Sequence, residues 1–132
     1  MQTSRTYKLL LSDQGIDLFL GCHCRLAHLV RAFIPYGVTL AAAVTFLESL
    51  DPSEIAAEVE TRKFVRSCGT QVHFVGSSAR LTESMSKIKE KLSNSSEFGS
   101  LPSVGKLYVV ALISLEAAED RQLMDAYHRA VR

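Results

Sequence analysis

The sequence predicts an α/β or α+β domain in two layers, a small sheet with helices packed on it. Three observations carry that expectation. Thr39–Leu50, TLAAAVTFLESL, is apolar nearly all round, the mark of a buried central helix. Asp51-Pro52-Ser53-Glu54 puts an N-cap acid, an N1 proline and an N3 glutamate in register, so a further helix starts there. Two runs rich in β-formers, Thr70–Val75 and Lys106–Ile113, are each followed by a helical pattern. The expected element order is β-β-α-α-α-(β)-β-α-β-α, in one globular domain over residues 1–132.

In chain order, Arg5–Leu11 and Ile16–Cys22 read as a β-hairpin, with Ser12-Asp13-Gln14-Gly15 as its turn. Cys24–Ile34 carries Leu26, Leu29, Val30, Phe33 and Ile34 at amphipathic helical spacing, and Pro35-Tyr36-Gly37 ends it. Thr39 is placed to N-cap the buried helix, in which Thr39, Thr45, Glu48 and Ser49 are the residues left to meet water. The helix from Pro52 has no clear end, and Thr61–Ser67 reads as either its continuation or a strand.

Thr70–Val75 is a strand, broken by Gly76-Ser77-Ser78. The helix after it has Leu81, Met85, Ile88 and Leu92 as its stripe. Residues 93–105 form a flexible surface loop by composition. Lys106–Ile113 reads as a strand covered on both faces. Ser114 caps a last helix, Leu115–Val131, whose acids lie early and whose arginines lie late. The two strand–helix units suit parallel neighbours joined by a right-handed crossover.

Bulk properties bound the class. With 132 residues, 47% hydrophobic and 22% charged, the chain suits one globular domain. A net charge of +1 means that any binding to nucleic acid must come from a local patch. The polar start Met1–Lys8 and three cysteines, an odd count, suit a cytoplasmic protein with reduced thiols. No apolar run is long enough to span a bilayer, so no membrane role is expected.

Chemistry has few places to sit. In Gly76-Ser77-Ser78-Ala79-Arg80 a strand gives way to a helix, and Ser77, Ser78 and Arg80 could hold a phosphate or carboxylate. The same residues also make sense as a turn and a cap. Cys22-His23-Cys24, with His28, Cys68 and His73 elsewhere, offers thiolate and imidazole, but the spacing lacks the paired knuckles of a zinc site. No metal, cofactor or catalytic set is expected.

Two resemblances bear on nucleic acid. Ser53–Arg66 resembles a helix-turn-helix, with Arg62, Lys63 and Arg66 as phosphate contacts and a hairpin of 61–67 with 70–75 as a wing. Glu60 stands at the usual turn glycine. Tyr7–Arg31 is similar to the opening of GIY-YIG nucleases: Phe19-Leu20-Gly21 stands for the second tripeptide, Arg31 for the helix arginine, and Tyr7 loosely for the first tripeptide. It lacks the second tyrosine, and no metal-binding glutamate is assigned.

The leading expectation is a non-catalytic accessory protein that binds another protein or itself, with a homodimer plausible by symmetry. The alternatives are a DNA-binding regulator using the basic segment 53–66 and a small-ligand protein using the 76–80 turn.

Overall fold

A computed structural model describes residues 6–76 and 79–132. The elements are β1 (Tyr7–Leu11), α1 (Asp13–Val30), α2 (Tyr36–Glu48), α3 (Pro52–Val59), α4 (Arg62–Ser67), β2 (Gln71–Val75), α5 (Ala79–Ser93), α6 (Val104–Ala117) and α7 (Asp120–Ala130). The class is α+β: among the described residues, a two-stranded antiparallel ribbon packs on a body of helices.

Helix α2 is the centre, as its composition demands. Every residue from Thr39 to Leu47 is buried, and α5, α6 and α7 all pack on it. Thr39 and Thr45, expected to meet water, are therefore interior; Ser49 is exposed and Glu48 half-buried. The helix starts at Tyr36 with Pro35 as N-cap, so Thr39 is not the cap.

The run Lys106–Ile113 belongs to α6, not to a strand. Its residues from Leu107 to Ile113 are buried on all sides between α1 and α2. A continuous apolar run suits a fully covered strand or a fully covered helix equally well. The Ser103 hydroxyl, accepting the Lys106 N–H at 3.3 Å, starts the helix here. Ser114 lies inside α6. The last helix begins later, after Glu119, whose N–H is accepted by the Gln122 side chain at 2.9 Å.

Ser12–Gly15 is likewise a helix start rather than a hairpin turn. Ser12 Oγ accepts the Gly15 N–H at 3.1 Å and α1 runs on to Val30, so Ile16–Cys22 is helical. The helix expected over Cys24–Ile34 is the second half of α1. It stops at Arg31, whose φ of 59° is left-handed. Phe19-Leu20-Gly21, compared above with a nuclease tripeptide, are mid-helix residues, and Arg31 is a C-cap.

The strand at 70–75 forms, as β2, but it pairs antiparallel with β1 in the register Leu9↔His73. No parallel crossover joins it to 106–113, and Thr61–Ser67 is helix α4, so 61–67 makes no wing with it. Thr61 caps α4 by accepting the Phe64 N–H at 3.1 Å. At the start of α3, Glu54 accepts the Asp51 N–H at 3.2 Å, one half of the expected capping box. The α5 stripe Leu81, Met85, Ile88 and Leu92 is buried as read. Residues 94–103 are irregular.

Two glycines set how the ribbon meets the helices. A Cβ on Gly15 would fall 2.2 Å from the carbonyl oxygen of Ser67, so α1 and the end of α4 touch only because Gly15 has none. A Cβ on Gly37 would fall 2.4 Å from the Gly76 carbonyl oxygen. That contact brings the first turn of α2, with Tyr36, against the end of β2.

Candidate functional site

Among the described residues β2 has one strand neighbour, β1. Opposite it, β1 buries Leu9 and Leu11 and carries Lys8 on its outer face. β2 buries only Val75, and Gln71, Val72, His73 and Phe74 are all exposed. It contains no charged residue, so it lacks the lysines and glutamates that usually blunt an edge.

Beside β2 lies an apolar groove of about 260 Å³. Leu9, Leu11 and Val75 form its inner wall, and Ile16, Phe19 and Leu20 of α1 face them with Tyr36 of α2. The rim is open: Phe74 is 63% exposed, Tyr36 53% and Leu20 42%. Val72 and Leu10, directly paired across the ribbon, extend this apolar surface onto the outer face.

An aromatic cluster holds the groove's far wall. The Phe19 ring stacks on His23 at 6.2 Å and meets Tyr36 edge-on at 5.9 Å, and His23 and Tyr36 lie 4.6 Å apart. His23 Nδ1 is 2.7 Å from the Thr39 hydroxyl. Burial lowers the imidazole pKa from its ordinary value.

The basic residues Arg62, Lys63 and Arg66 are all exposed on α4. Lys63 is ion-paired with Glu116 of α6. Asp17 shares a shallow cleft with Lys63, Arg66 and Glu116, so acids stand beside the cations. Phe64 of the same short helix is buried in the core.

Ser77 and Ser78 lie outside the described residues. Arg80, in the first turn of α5, lines a polar pocket against α2 and α7.

The cysteines do not converge. The Cys22 thiol is buried, donates to the Leu112 carbonyl at 3.4 Å and is pushed up to about 12, first by burial and then by Glu116. Cys68 is half-buried, and burial pushes its thiol up. Cys24 is exposed. Among the described residues no three His, Cys, Asp or Glu side chains are grouped to hold a metal ion.

Sequence reading missed Leu20, Tyr36, Val72 and Phe74 as a surface. The one signal was the strand's own alternation, QVHFV, in which neither face carries a charge. Of the polar pocket only Arg80 was singled out, because its residues come from three separate helices.

Comparison of the chain with protein-family models, with curated proteins and with solved structures finds no match. Among the described residues no helix is long and apolar enough to cross a membrane.

Proposed function

We propose that the protein is a non-catalytic interaction module, and that β2 receives an extended segment of a partner protein as a third strand. The observation that supports this reading most is the uncharged, exposed strand beside an open apolar groove. A strand laid along β2 gains main-chain hydrogen bonds, and its alternate side chains enter the pocket. One face of the incoming strand meets Ile16, Phe19, Leu20 and Tyr36, and so must be apolar.

A second copy of β2 is a poorer occupant. The residues it would present alongside the buried Val75 are Gln71 and His73, which are polar. The partner segment therefore has apolar residues at every second position.

The DNA-binding reading keeps one favourable observation, two short helices α3 and α4 joined by a tight turn. The Lys63–Glu116 pair and the nearby Asp17 weigh against it, since phosphate contact needs uncompensated positive charge.

The test is selection from a displayed library of short peptides, followed by affinity measurement on Phe74→Lys with Val72→Lys. Both residues are exposed, so the double variant keeps its fold. Enriched peptides with alternating apolar residues that lose binding to the variant support the reading. No enrichment, or binding untouched by the variant, removes it. Concentration-dependent self-association lost in the same variant would replace the partner by a second copy.

A further inference from the structure

A second pocket, of about 300 Å³, lies where α2, α5 and α7 meet. Its lining is polar, unlike the groove beside β2. Arg80 and Lys87 come from α5 and Arg129 from α7, so three cationic side chains share one concavity. Hydroxyls of Thr45, Ser49 and Ser84 stand among them, together with the carboxylates of Glu48 and Glu83.

The existing partners do not use up these groups. Arg129 Nε donates to Asp125 at 2.9 Å, which leaves its terminal nitrogens for other acceptors. Lys87 lies 3.9 Å from Glu48, and Lys91 donates to the Glu48 carbonyl at 2.8 Å. Arg80 has no ion pair among the described residues.

Thr45 supplies an independent observation. Its residue is 3% exposed, it lines the pocket, and its hydroxyl is buried with no hydrogen-bond partner among the described residues. A buried hydroxyl without a partner is destabilising, so such groups need a reason.

We infer that this pocket binds a small hydroxylated anion, a phosphate monoester or a hydroxy acid. Arg80 and Arg129 take the anionic head, in the planar forked geometry that guanidinium groups give to phosphate and carboxylate. Glu48 and Glu83 accept from the ligand's hydroxyls and hold the lining near one net positive charge, which disfavours a polyanion. The site is distinct from the groove beside β2 and does not depend on the strand-addition reading. It shares only Arg80 with the turn singled out in the sequence.

The test is a titration of the full chain with glycerol 3-phosphate and, separately, with glycerate, followed by two-dimensional amide NMR. Glycerol and sodium sulfate at matched ionic strength serve as controls. The expected result is a saturable shift around residues 45–49, 80–87 and 129 with one of the two anions, and none with glycerol. Which anion binds decides between the phosphate and the carboxylate class. Arg80→Gln weakens that binding roughly tenfold or more. Thr45→Val, which removes the hydroxyl at nearly constant shape, weakens it severalfold while leaving the melting temperature of the free protein unchanged or higher. Arg62→Gln, on a distant surface, leaves it unchanged. No saturable shift with either anion, equal binding of sulfate, or unaltered affinity in Arg80→Gln overturns the proposal.

Discussion

His23 on α1 and Thr39 on α2 are joined by a hydrogen bond of 2.7 Å between Nδ1 and the hydroxyl. The pair links the aromatic wall of the groove to the fully buried centre of α2. Thr39 is an interior polar residue, 0% exposed, and His23 gives its hydroxyl a partner. The hydroxyl can rotate to donate or accept, so it serves the neutral imidazole in either tautomer.

The burial of His23 makes stability depend on pH. Burial lowers the His23 pKa below its ordinary 6.5, so in that range the unfolded chain binds more protons than the folded one. The contribution of the neutral ring is complete above 6.5 and is lost as pH falls from 6.5 through the lower folded value. Urea unfolding of the wild type and His23→Gln should show a stability difference that is constant near neutrality. As pH falls below 6.5 that difference should shift against the wild type. A difference independent of pH would mean that His23 is not held neutral by the fold.

Gly15 and Gly21 lie on the same helix and should respond oppositely to alanine. At Gly21 a Cβ meets nothing within 4 Å, so Gly21→Ala gains helix propensity, up to about 1 kcal/mol. At Gly15 the Cβ meets the Ser67 carbonyl oxygen at 2.2 Å and the Leu11 side chain at 3.0 Å. The first of these is backbone, and Ser12 N–H already donates to it at 3.1 Å, so it cannot yield cheaply. Gly15→Ala should therefore lose about 1–3 kcal/mol despite the propensity gain. Urea midpoints with unchanged slopes measure both. Two stabilising substitutions would show that α1 and α4 do not touch as described.

Tertiary burial decided what could and could not be read from the chain. TLAAAVTFLESL and KLYVVALI are both apolar on every side, and both are central helices. Only the first showed itself, because alanine favours helix while Tyr108, Val109, Val110 and Ile113 favour strands, and tertiary burial overrode that preference. In α1 the buried set Gly15, Leu18, Phe19, Cys22 and Leu26 has helical spacing, but Ile16, Leu18 and Leu20 also alternate. Leu20, which that alternation put inside, is 42% exposed. The stripe of α5 and the start at Pro52 were legible because period and caps agreed. The groove was not, because the exposure of Val72 and Phe74 depends on which strand pairs with β2. The sequence offered 106–113 or 61–67 as that neighbour, and the chain uses 7–11 instead.

The three thiols should label in a fixed order. Cys24 is exposed and reacts first with a disulfide reagent near neutral pH. Cys68 is half-buried and its thiol is pushed up by burial, so it follows. Cys22 is buried and pushed up to about 12, so it reacts only when the packing of α1 on α6 opens. Mass spectrometry of timed labelling reports the order, and urea should remove the protection of Cys22 at the global unfolding midpoint. Cys22 labelling as fast as Cys24 in the absence of denaturant would contradict the described packing.

Arg25 should be the surface charge whose removal costs most. Its Nε and Nη2 donate to Asp120 Oδ1 at 3.0 and 2.7 Å, and its terminal nitrogens reach the Glu116 carbonyl at 3.1 Å and the Ala118 carbonyl at 2.7 Å. One guanidinium thus ties α1 to the end of α6 and the start of α7. Arg25→Ala should lose about 1–3 kcal/mol, more than an isolated surface ion pair is worth. An ammonium is a point charge that cannot span the carboxylate and both carbonyls, so Arg25→Lys should recover less than half of that loss. Asp120→Asn keeps the carbonyl contacts and should cost less than Arg25→Ala. Denaturation at low and high salt separates the contributions, since the carbonyl bonds are less sensitive to screening than the ion pair. Full recovery by lysine would mean that charge alone, not the fork, holds this junction.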